Sequence, residues 1–282
     1  MTNNWLSDLK FKLFKSGDPV LLYIGINAIV FVVVSLLSVF TFMAGSAGLI
    51  NGFVRVYLAF PSLPEMWLTR FYTILTYQFF HADFFHILFN MLWLYWMGRI
   101  FLDFVKPRQF HFVYLVGGIA GAVFYALVYN IIPVFSNNVG TLIGASAAVA
   151  SVFAAAATLV PDYSIRLLFV GQVKLKYLLL VYILLNLIGI ESTNAGGSIA
   201  HLGGVLFGFV YIKLLQSGTD LSKLFERKPK LKVVKNDAPK KKSSTNVNQK
   251  EVDAILDKIS KSGYDKLTKE EKETLFKASN SQ

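Results

Sequence analysis

The chain has 282 residues, 54% of them hydrophobic and only 16% charged, with a mean hydropathy of +0.51. Ordinary soluble domains carry about 25% charged residues, so this balance excludes a soluble globular protein and predicts a polytopic membrane protein. Cysteine is absent, which excludes disulfides, thiolate catalysis and cysteine-held metals and leaves the redox compartment open.

Residues 1–20 form a basic N-terminal stretch with Lys10, Lys12 and Lys15. Runs of about twenty apolar residues, long enough to cross a hydrocarbon core, then recur six times, at about 21–44, 84–105, 110–132, 144–160, 174–190 and 198–216. The first is too long and too far along the chain for a cleaved signal peptide, so a retained span is expected. The long connection 45–83, rich in Phe and Leu and carrying Trp67, is expected to lie partly in the membrane interface.

Basic residues in short loops are biased to the cytoplasmic side. Lys10, Lys12 and Lys15 precede the first segment; Arg99, Lys106 and Arg108 separate the second and third; Arg166, Lys174 and Lys176 separate the fourth and fifth. The opposite connections carry Arg55 and Arg70, then no charge from Asn130 to Gly144, then Glu191. Both termini are therefore expected in the cytoplasm.

With that topology the second, fourth and sixth segments enter from the non-cytoplasmic side. His86, Asn90, Ser146 and His201 all fall within their first two turns, at one common depth. Histidine inside a span is costly and marks a functional site by default. His86 and Asn90, four apart, share one helical face.

The fourth segment, from Gly144 to Pro161, is about seventeen residues, or roughly 25 Å at the helical rise, against a hydrocarbon core of roughly 30 Å. Its Ser146 end should be submerged. The preceding stretch from Pro133 to Ile143, with Ser136, Asn137 and Asn138, must then dip into the membrane, which irregular backbone tolerates only where protein covers it or water reaches it. The alanine-rich run from Ala145 to Ala157 predicts a central helix that neighbours approach closely. Gly117 and Gly121, and Gly204 and Gly208, are four-spaced small-residue faces for that packing.

These residues resemble the rhomboid family of intramembrane serine proteases over roughly residues 15–216. The family's Gly-x-Ser-Gly nucleophile motif reads here Gly144-Ala145-Ser146-Ala147. Its Ala-His-x-x-Gly-x-x-x-Gly base motif is matched by Ala200, His201, Gly204 and Gly208, and its His-x-x-x-x-His-x-x-x-Asn signature by His81, His86 and Asn90. The resemblance implies Ser146 as nucleophile and His201 as base. It also implies an oxyanion site from the Ser146 amide, His86 and Asn90, and His81 as a residue that shapes the loop or helps the base network. Neither metal nor cofactor is implied, and no His-Glu-x-x-His run occurs. No Asp or Glu lies deep in any segment, so a dyad is expected.

Three positions depart from the family pattern. Ala147 replaces the glycine after the nucleophile, adding a methyl expected to narrow the substrate groove. Ala150 stands where many relatives carry a tyrosine under the histidine ring, so the base must be held another way. Trp67 and Arg70 are wrongly spaced for the family's Trp-Arg pair. His111 is expected at the interface, at the cytoplasmic end of the third segment.

Residues 217–249 read as a polar, lysine-rich linker, with Arg227-Lys228-Pro229-Lys230 and Lys240-Lys241-Lys242. Its composition fits a disordered topology anchor with affinity for anionic lipid rather than a nucleic-acid binder. Residues 250–282 read as a small cytoplasmic helical hairpin: Val252, Ile255, Leu256 and Ile259 keep helical spacing, Gly263 breaks it, and Thr268 with Glu271 forms a capping box. The hairpin could serve an unknown partner.

The expected whole is an all-α, six-transmembrane-helix rhomboid-like bundle over 21–216 with a small helical tail. It would sit in a bacterial inner membrane and cut transmembrane protein substrates near the outer leaflet. An inactive relative that binds membrane clients would be expected to lose Ser146 or His201. A transporter would spread its ionisable residues along a path across the bilayer.

Overall fold

The computed structural model describes residues 5–135, 139–168, 170–225 and 248–279; Ser136, Asn137, Asn138 and the lysine-rich stretch 226–247 lie outside them. The chain divides into two units, residues 1–226 and 227–282. In chain order the first unit holds α1 (Trp5–Phe14), α2 (Pro19–Met43), α3 (Leu49–Phe53), β1 (Phe60–Pro61), α4 (Thr73–Thr76), α5 (Phe84–Leu102), α6 (Pro107–Ile131) and β2 (Thr141–Leu142). It continues with α7 (Ser146–Leu159), β3 (Ser164–Leu167), β4 (Gly171–Lys174), α8 (Leu175–Ile188) and α9 (Ala195–Gln216).

Six helices answer to the six apolar segments, but their lengths differ from expectation. Among the described residues, α2, α5, α6 and α9 are the helices long and apolar enough to cross a membrane. Helices α7 and α8 have 14 residues each, or about 21 Å at the helical rise. Helix α7 is buried without interruption from Ala147 to Ala157, packed by α5, α6, α8 and α9. Its alanines permit this: a Cβ on Gly204 would collide with the Ala147 carbonyl oxygen, and one on Gly208 with that of Ser151.

Helix α2 starts where Asp18 accepts from the amides of Val20 and Leu21 at 3.0 and 3.2 Å and Pro19 supplies a preset first turn. The same carboxylate pairs with Arg99 near the end of α5. Helix α1, in the stretch read only as basic, folds against α2 at Gly25, where a Cβ would meet Leu13 at 3.3 Å.

Three further regions add to the sequence reading. His111 takes on a packing role: its Nδ1 lies 3.0 Å from the Tyr23 hydroxyl, and with Asn27 donating to Tyr114 at 3.2 Å it pins α2 to α6. The connection between α7 and α8 is an antiparallel hairpin, β3 with β4, because Ile165, Leu167 and Val173 alternate with polar neighbours at the strand period. The linker does not begin at residue 217: Asp220 accepts from Arg108 at 3.2 Å and Gln109 at 3.1 Å, and from the Ser222 amide at 3.0 Å. Residues 217–225 therefore stay anchored to the start of α6.

The second unit is α10 (Gln249–Ser262) and α11 (Lys269–Ser279). The Glu271 carboxylate accepts from the Thr268 amide at 2.8 Å and the Thr268 hydroxyl from the Glu271 amide at 3.3 Å. Glu271 also pairs with Lys258 of α10 at 2.7 Å, holding the two helices together.

Candidate active site

Ser146 is the first residue of α7, so its amide is among the four N–H groups that a helix leaves without an internal partner. The segment before it is irregular yet covered. Strand β2 pairs with β1, the Gly144 amide donates to the Tyr77 carbonyl at 2.9 Å, and the Ala145 amide makes a long 3.4 Å bond to His81 Nε2. Tyr77 is in turn fixed to α6 through its hydroxyl, 2.6 Å from the Gly118 carbonyl. Trp67 donates to the Pro61 carbonyl at 3.0 Å and Arg70 to that of Val56 at 2.6 Å, so both staple the long connection that carries β1.

Gly144 adopts φ +117°, a left-handed conformation that favours glycine. A Cβ there would also lie 2.6 Å from His86 Nε2. His86 is thereby set against the backbone just before Ser146. Its own helix is capped by Asp83, which accepts from the His86 amide at 2.9 Å.

Ser146, His201, His86 and Asn90 line one open cavity of about 650 Å³, walled by Phe85, Phe89, Trp93, Phe153 and Tyr182. Four residues from three helices, far apart in sequence, thus share one space. Ser146 and His201 make no direct hydrogen bond among the described residues, which is common where no substrate tightens the geometry. Asn90 donates to the His86 carbonyl at 2.9 Å, which leaves the second N–H of its amide uncommitted.

Other expected site residues fall outside the cavity wall. His81 lies behind it, in a neighbouring space of about 260 Å³. Burial, helped by nearby His86, pushes its imidazole down to about 3, so it is neutral and serves as acceptor for Ala145. Gly204 and Gly208 belong to the α7–α9 contact.

Ala147 also departs from expectation. It is 1% exposed, absent from the cavity wall, and its methyl points at Gly121 of α6. The added carbon fills the core behind the site and does not narrow the groove.

His201 is gripped from α8. His201 Nδ1 lies 2.7 Å from Asn186 Oδ1, and the Tyr182 ring lies 6.1 Å from the imidazole at 30°. Neither residue stands out in the sequence when partners for His201 are sought among carboxylates. The available signal is Asn186 itself, the lone amide in an otherwise apolar run.

Two family models match the chain: one described as a Rhomboid domain at residues 68–217, the other as a family of unknown function (DUF6576) at residues 242–281. No curated protein matches it.

Proposed function

The chain belongs to the rhomboid family and is a multi-pass membrane protein, and from this premise we propose that it is an intramembrane serine endopeptidase working through Ser146 and His201. The observation that carries this reading is the convergence of Ser146, His201, His86 and Asn90 on one cavity.

The chemistry follows from the groups present. His201 takes the Ser146 hydroxyl proton as Oγ attacks the scissile carbonyl, then gives it to the leaving amine as the acyl-enzyme forms. Water, activated by the same base, releases the acid and restores the serine. The negative charge on the tetrahedral oxygen would be met by the Ser146 amide, the positive end of the α7 dipole, and the side chains of His86 and Asn90. Each such donor is worth about 100- to 1,000-fold in kcat.

In this reading α7 and α8, too short to span alone, complete a six-helix bundle in which protein shields their ends. Basic residues at Arg99, Lys106, Arg108, Arg166, Lys174 and Lys176 favour both termini in the cytoplasm, and the compact six-span layout fits a bacterial inner membrane. The cut would then lie near the outer leaflet, in transmembrane protein substrates with small residues at the scissile bond. No metal or cofactor takes part, and the tail is free to engage a separate partner.

The test is cleavage of a single-span protein in proteoliposomes by wild type, Ser146→Ala and His201→Ala. Wild type should cut and both variants lose at least about 1,000-fold. Equal cutting by all three, or absence of both cleavage and labelling of Ser146 by a serine-reactive phosphonate, would overturn the reading; the second outcome favours an inactive client-binding relative.

A further inference from the structure

Helix α8 places one amide against the base, and the directions of its hydrogen bonds are determined. Asn186 is 7% exposed. Its Nδ2 donates to the Tyr182 carbonyl at 2.8 Å, an atom that can only accept. The other end of the amide, 2.7 Å from His201 Nδ1, is therefore the oxygen; flipping it would set two acceptors against each other. An amide oxygen likewise only accepts, so Nδ1 must carry the hydrogen and Nε2 is left as the acceptor.

The surroundings make this grip rigid. Tyr182 and Asn186 are four apart and share one face of α8. Ala150 and Ala154 of α7 leave the space that Tyr182 fills, so the aromatic wall beside the imidazole comes from α8. An amide in this place orients the base without burying a charge that would need its own partner.

We infer that Asn186 is the positioning residue for His201, holding the imidazole in the Nδ1–H tautomer that alone can take a proton from Ser146. This rests on the proposed hydrolase reading for its consequence in turnover, not for its effect on the tautomer. In serine hydrolases generally, an orienting group that enforces the wrong tautomer costs about 10,000-fold in kcat.

The chain has four histidines, so 15N-histidine NMR of the full-length protein in bilayers is tractable, with His201 assigned by the signal lost in His201→Ala. Wild type should show His201 protonated at Nδ1. Asn186→Leu, which keeps the size but not the acceptor, should shift the population toward Nε2–H and lower kcat at least about tenfold with KM unchanged. Asn186→Asp, which restores an acceptor toward His201 but sets its second oxygen against the Tyr182 carbonyl, should return the Nδ1–H signal and part of the rate. Nε2–H in wild type overturns the inference, as does an unaltered tautomer and rate in a folded Asn186→Leu. The tautomer readout needs no turnover, so it decides the assignment even if the phosphonate and cleavage tests defeat the hydrolase reading.

Discussion

Gly144 and His86 are so closely apposed that one extra carbon on the glycine would sit 2.6 Å from the imidazole Nε2. The pairing joins the N-terminal turn of α5 to the backbone entering α7, and so sets the distance between two groups proposed to meet the same oxyanion. Gly144→Ala should therefore fail twice. The φ of +117° strains any side chain by about 1–3 kcal/mol, and His86 is displaced. A drop of at least about 100-fold in kcat, with a lowered melting temperature in detergent, is the expected outcome of paired cleavage and unfolding assays.

Helices α7 and α9 approach until there is room only for hydrogen at Gly204 and Gly208. Gly204→Ala should destabilise the protein by about 1–3 kcal/mol through overpacking against backbone that cannot yield. At Gly52, in α3, an added Cβ would have nothing within 4 Å, and Gly52→Ala should be neutral or stabilising by up to about 1 kcal/mol. Denaturant titration of the two variants side by side checks the contrast.

Ala147→Gly separates packing from access. Because the methyl lies against Gly121 and not on the cavity wall, its removal should cost about 1–2 kcal/mol of stability, as helix propensity and a small void. KM should stay unchanged. A lowered KM would mean that the methyl does restrict the groove.

Asp220 gives the bundle a pH-dependent clasp. Burial opposes its ionisation, yet hydrogen bonds from the Ser222 hydroxyl and amide, Tyr211 and Gln109 outweigh that and hold the carboxyl below its usual range. A carboxyl with a lowered native value stabilises the fold fully above its unfolded value, about pH 4, and loses that contribution as pH falls through the native one. Asp220→Asn should cost about 1–2 kcal/mol at pH 7, and the difference from wild type should shrink below about pH 4. Unfolding measured at neutral and acidic pH gives both values.

What was legible in the sequence was local. The Thr268/Glu271 capping box and the four-spaced Gly204 and Gly208 each depend on residues a few positions apart, where helical geometry fixes which of them share a turn or a face. Ser146, His201, His86 and Asn90 were legible because they recur at set places near the starts of apolar segments. Tertiary structure alone decided which faces those helices turn to one another. The amide of Asn186 reaches His201 only because α8 packs against α9 with that face inward, and the Ala147 methyl points away from the cavity only because α6 offers Gly121 behind it. Hydrophobic periodicity carries no such rotational information in a helix that is apolar almost all round, which is why the partner of His201 and the placement of Ala147 emerged only with the fold.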